Sequence, residues 1–190
     1  MSDPQTIAAG ITKAFMATDA GRFGICPVCA GIHRLTRSRT LVRHGFKARN
    51  VRHGQSSGFH IGGHAGQDPI GTALGNREAV MEAQRHHTTA DRLAALPPVS
   101  TEEATQAYLQ EIWESAMKSW SYRRVGDRPQ RYETLADLQA SKGWRSVMHW
   151  FSEEGLAYKA GRMVAQRAQT IEDHRAHADL LVALVTLNPD

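Results

Sequence analysis

No aspartate or glutamate occurs between Arg22 and Gln67, a span that carries eight Lys and Arg. A field of one sign over such a stretch favours nucleic acid or an acidic protein surface as the partner. The same gap weakens a catalytic reading. Asn50, His53 and His60 imitate part of a small metal-dependent nuclease centre, yet no carboxylate stands beside them in the sequence. P-loop, dinucleotide, HExxH and GxSxG patterns are absent, so a non-enzymatic protein is expected and no catalytic residue is assigned. No apolar run approaches the roughly 18 residues of a membrane span. The segment Met1-Ser2-Asp3-Pro4 lacks the basic flank and apolar core of a signal peptide, and a cytoplasmic location is expected. The chain has no internal repeat and no heptad sustained enough for a coiled coil.

Glycine is scarce in one half and abundant in the other. Residues 1–75 hold twelve of the sixteen glycines, and residues 76–190 are mostly helix formers. Charge divides alike: residues 1–67 carry nine Lys and Arg against two acidic residues. The expected fold is a small α+β zinc-ribbon-like module attached to a mainly α-helical domain. Its boundaries are an N-terminal helix within 1–22, a basic zinc-binding module over 23–75 and a helical domain over 76–190.

Both cysteines of the protein lie in Ile25-Cys26-Pro27-Val28-Cys29-Ala30, two residues apart, so a tight turn can bring both thiolates to one ion. Five histidines follow within 35 residues: His33, His44, His53, His60 and His64. A glycine-rich segment builds a poor core, and zinc binding energy serves as folding energy in such modules. His44 ends the apolar pair Leu41-Val42, where a hairpin with arms 33–36 and 41–44 would return it to the sulfurs. His64, flanked by glycines that let the backbone pass close under an ion, ranks first for the fourth position, ahead of His60 and His53. Two cysteines and two histidines would fill the ion and make it structural.

The run CPVC, followed by LVRHGFKARNVRHGQSSGFHIGGHAG, resembles a loosely defined family of uncharacterised bacterial, phage and plasmid proteins with a CPxC(G/A) knuckle, an RHG step and a later glycine-flanked cysteine. The resemblance covers roughly residues 23–70. It implies a metal module with Cys26, Cys29, His44 and His64 as ligands, His64 standing where the pattern has cysteine.

Helical spacing predicts a helix over 6–18, a second from an Asn76 N-cap to about Leu96, and a third over 104–121 after the capping box Ser100 to Glu103. Short helices follow near 132–139 and 142–151, then a long one from Glu153 to about Leu187. Its end, Leu180 to Leu187, is apolar nearly all round and should bury against other helices or a second copy of the chain, making a homodimer one expected partner. His86-His87 is expected on a helix surface. His174 and His177 stand one turn apart.

The leading reading is a zinc-stabilised nucleic-acid-binding or regulatory protein. Arg34, Arg37, Arg39, Arg43, Lys47, Arg49 and Arg52 would contact phosphates of DNA or RNA. The alternative is a protein–protein interaction factor, including a phage-type inhibitor of a host or defence complex. There the basic face meets an acidic protein or multiprotein complex, and Trp113, Trp120, Arg123, Arg124 and Trp144 supply anchors. A metal-dependent nuclease is the third reading.

Overall fold

The computed structural model describes residues 3–19, 21–44, 65–121 and 128–190. Its elements are α1 (Pro4–Met16), β1 (Phe23–Ile25), β2 (Ile32–Arg34), α2 (Ala73–Ala94), α3 (Thr101–Ser121), α4 (Leu135–Gln139), α5 (Trp144–Val147) and α6 (Glu153–Leu187), with a 3-10 turn at Met148–Phe151 before α6. A small two-stranded β module attached to a mainly helical part is the architecture expected from composition. The chain divides into two compact units, residues 1–96 with 167–190, and residues 97–166. The helical stretch 76–190 therefore contributes to both units.

In the first unit α1 starts at Asp3, whose carboxylate accepts from the Thr6 amide at 3.1 Å, with Pro4 ahead of the helical hydrogen bonds where a missing N–H costs nothing. Strands β1 and β2 are antiparallel, pairing Phe23 with Arg34 and Ile25 with Ile32. The cysteine loop is their connection. Beyond β2, Leu35 bridges Leu41, and the turn between them closes through Thr36 N–H to the Thr40 carbonyl at 2.7 Å. Arg39 takes a φ of +62° in that turn. The hairpin expected over 33–44 therefore exists as a short return, built on an additional strand at Phe23–Ile25.

Helix α2 begins earlier than expected. Thr72 is the N-cap, its hydroxyl accepting from the Gly75 amide at 3.1 Å. Asn76 lies inside the helix, buried, where its Oδ1 accepts from the Gly71 amide and its Nδ2 donates to the Asn188 carbonyl. The shift has a steric cause. Gly71 turns the chain at φ +93°, and a Cβ on Gly75 would meet the Pro69 carbonyl oxygen at 2.0 Å. Glycine at 75, in the first turn, is thus what lets a helix that begins at Ala73 lie against Pro69.

The buried positions of α2 are Gly75, Asn76, Ala79, Ala83, His86 and Ala90, a helical stripe of mostly small side chains. The second half of α6 runs antiparallel to it, as Asn76 to Asn188 and Asp91 to Arg175 show. Ala178, Leu181, Ala183 and Leu184 complete the core with Ala8, Ile25, Ala30 and Ile70. The end of α6 is not buried all round, because Val182 and Leu187 stay exposed.

The second unit holds α3, α4, α5 and the start of α6. The capping box is present: Ser100 N–H donates to Glu103 Oε2 and Glu103 N–H to Ser100 Oγ, at 2.8 and 3.1 Å. Ala104, Tyr108 and Leu109 are its buried face on α3, joined by Leu138 of α4. Tyr108 packs against Trp150 and Phe151, and its hydroxyl donates to the Gly155 carbonyl at 3.0 Å. Lys159 stands over the Tyr108 ring and pairs with Glu111.

Candidate metal centre

The loop from Cys26 to Ala30 is shaped by backbone hydrogen bonds before any side chain acts. Cys26 N–H donates to the Gly31 carbonyl at 2.9 Å, and Ala30 N–H donates to the Cys26 carbonyl at 3.0 Å. Ala30 takes a φ of +58°, the left-handed step that turns the chain from the knuckle into β2. Val28 N–H donates to Cys26 Sγ at 3.4 Å. Backbone amides aimed at sulfur favour its thiolate form.

The return past Leu41 brings His44 to the sulfurs. Ligand atoms of Cys26, Cys29 and His44 all lie within 4.8 Å of one another, the one such group among the described residues. His44 Nδ1 lies 2.7 Å from the Val42 carbonyl. Because a carbonyl only accepts, Nδ1 carries the proton and Nε2 keeps the lone pair a metal needs. The two cysteines are not joined in a disulfide. Cys26 is fully buried. A hydrogen bond shared with Cys29, together with burial, pushes its thiol far above the ordinary range, so the sulfur pair retains a proton unless a cation replaces it. Two soft sulfurs and an imidazole nitrogen, brought together without a carboxylate, are a donor set that suits zinc.

His33 also belongs to this place. Its Nε2 is 3.4 Å from Cys29 Sγ, and its ring stacks on His44 with centroids 3.6 Å apart and planes at 18°. By sequence His33 is one of five histidines near the knuckle, with no role of its own. Its signal was available in alternation: on β2, Ile32 and His33 point to opposite faces, and His33 shares the face of the knuckle. His53, His60 and His64 lie outside the described residues, as do Lys47, Arg49, Arg52, Arg123 and Arg124.

Four of the expected phosphate contacts are described. Arg34, Arg37, Arg39 and Arg43 are all exposed, spread along β2 and the return that carries His44. Arg39 also lines a groove of about 390 Å³ whose walls include Phe15, Phe23, Leu35, Ile70 and Leu187. In the second unit Trp113, Trp120 and Trp144 are half-buried. Trp144 lies against Phe151, and Arg128 stands 5.7 Å from the Trp120 ring.

A second histidine group sits behind the knuckle in the same unit. His86 of α2, expected on the surface, is buried, because the small side chains of Ala79, Ala83 and Ala90 on the same stripe draw that face against α6. His86 Nδ1 lies 2.6 Å from His174 Nδ1, and its ring meets His177 edge-on at 4.8 Å. His177 Nε2 lies 2.8 Å from the Val28 carbonyl and donates to it. Burial, then the neighbouring His177 and His174, lower the His86 pKa to about 4 against a partial pull upward from Glu82. Burial lowers His174 as well. His86 and His174 are therefore neutral in the folded protein near neutral pH.

Among the described residues no helix is long and apolar enough to cross a membrane. Compared with protein-family models, with curated proteins and with solved structures, the chain matches none of them.

Proposed function

We propose that the chain is a non-enzymatic, zinc-stabilised nucleic-acid-binding protein, with Cys26, Cys29 and His44 as three ligands and His64 as the fourth. The observation that carries the nucleic-acid reading is the set of exposed arginines, Arg34, Arg37, Arg39 and Arg43, displayed by the strand and return that also build the metal cluster. Metal binding fixes the backbone of that return, and a fixed row of guanidinium groups meets phosphates at less entropic cost than a loose one. The groove beside Arg39 adds the rings of Phe15 and Phe23. Aromatic walls next to a cation suit an unstacked base, which favours single strands over duplex.

Metal content and binding are measured separately. Protein purified without added metal should hold about one zinc per chain, lost in Cys26→Ser and His44→Ala. Replacing Arg37, Arg39 and Arg43 together should weaken association with single-stranded oligonucleotides and flatten its salt dependence, each lost phosphate contact removing roughly 0.7 from the logarithmic slope. No association at low salt by the metal-loaded protein turns the reading toward an acidic protein partner for the same arginines.

A further inference from the structure

His33 touches two members of the metal cluster at once, and its position is prepared by the residue before the strand. A Cβ on Gly31 would lie 2.6 Å from His33 Nε2 and 3.4 Å from both flanking ring carbons. Glycine at 31 is thus what lets the imidazole fold back over the chain to reach Cys29. Gly31 does not need an unusual backbone conformation, since the positive-φ residues of this loop include Ala30 and not Gly31.

Two roles fit a histidine in that position, and geometry separates them. On a tetrahedral ion with bonds of about 2.3 Å to sulfur and about 2.0 Å to nitrogen, two ligand atoms stand about 3.5 Å apart. The 3.4 Å from Cys29 Sγ to His33 Nε2 taken alone would suit a shared ion. The stack on His44 decides otherwise. Ring nitrogens direct their lone pairs in the ring plane, and two rings whose centroids stand 3.6 Å apart with planes at 18° aim them side by side, not at one point. His33 accordingly falls outside the group whose ligand atoms all approach within 4.8 Å. The remaining role is that of a donor. A metal-bound thiolate can only accept, so the close nitrogen carries the hydrogen.

We propose that His33 is a positioning residue of the metal centre, donating its Nε2–H to the Cys29 thiolate and backing the His44 ring by stacking, without itself binding the ion. This rests on the metal reading above. Partners of this kind orient ligands and adjust the charge on sulfur, and their loss commonly lowers metal affinity about 10–100-fold.

The test titrates the full chain with cobalt(II), then zinc, against a chromophoric chelator. Variants are His33→Ala, His33→Phe, Gly31→Ala and the double Gly31→Ala/His33→Ala, with circular dichroism to establish folding. His33→Ala should bind about 10–100-fold more weakly while its cobalt form keeps the sulfur charge-transfer and intense d–d bands of a four-coordinate site. His33→Phe keeps a ring for the stack but loses the donor, and should fall between wild type and His33→Ala. Gly31→Ala displaces the imidazole and should also weaken binding, yet add nothing further in the double variant, since both changes remove one interaction. Wild-type affinity in His33→Ala overturns the proposal and leaves the metal reading standing. Collapse of the d–d bands in His33→Ala also overturns it, by making His33 a ligand. Failure of the wild-type chain to take up either metal defeats the underlying metal reading.

Discussion

Compared side by side, the two units are filled with different materials. The first encloses Ile25, Leu41, Leu181 and Leu184 completely, amid a run of alanines, and sets buried histidines and a buried cysteine among them. The second encloses Ala104, Tyr108, Leu109 and Leu138, and otherwise relies on the half-buried rings of Trp144, Trp150 and Phe151, with Tyr108 to Trp150 at 5.7 Å and Trp144 to Phe151 at 5.8 Å. An interior that mixes small apolar groups with titratable ones responds to protons and cations as well as to packing. An aromatic cluster responds to contact alone.

The largest break in that comparison comes from the metal. Chelation, or Cys26→Ser, should remove a folding contribution on the order of 10 kcal/mol from the first unit. Amide exchange at residues 23–44 should rise toward unfolded rates while the α3 amides keep their protection. Equal loss in both units would erase the distinction between them.

Leu184→Ala comes next. Leu184 has no exposed surface, so the lost transfer energy and the cavity together should cost about 2–5 kcal/mol, read as a lowered denaturant midpoint. An unchanged midpoint would contradict its enclosure.

The third effect depends on pH. His86 has a folded pKa of about 4 against its ordinary 6.5, so the unfolded chain binds a proton that the folded chain refuses. Stability is complete above about pH 6.5 and falls as pH drops toward 4, by about 3 kcal/mol for His86. The groups facing it are Glu82 and His87 on its own helix and His174 and His177 on α6. His86→Gln should flatten the stability profile in that window, and a slope that survives assigns the effect to other groups.

The smallest effect sharpens the second unit. Tyr108→Phe keeps the ring and deletes the hydroxyl that donates to Gly155, at a cost of about 1 kcal/mol. That loss should not vary between pH 4 and 7, in contrast to the first unit.

How legible this was in the sequence follows from the kind of signal involved. The capping box at Ser100 and the span of α6 are local, and both stand where spacing puts them. So do Cys26, Cys29 and His44, because a two-residue gap and a short apolar return are readable along the chain. Residue identity alone could not place the start of α2, where Thr72 is the cap and Gly75 lies against Pro69, an approach that only the folded backbone makes. The strand at Phe23–Ile25 is three residues long, too short for alternation to register. His86 reads as polar, yet Ala79, Ala83 and Ala90 share its stripe, and that pattern, taken with His174, Ala178 and Leu181 on α6, marks it as interior.

The hydrogen bond from His177 to Val28 has one further consequence. The carbonyl between the two cysteines can only accept, so the His177 ring must carry a hydrogen at Nε2. The cysteine loop therefore holds a proton at one named nitrogen of a ring 149 positions away in sequence. Nitrogen-15 shifts of that ring would report from inside the helices on whether the loop is in place.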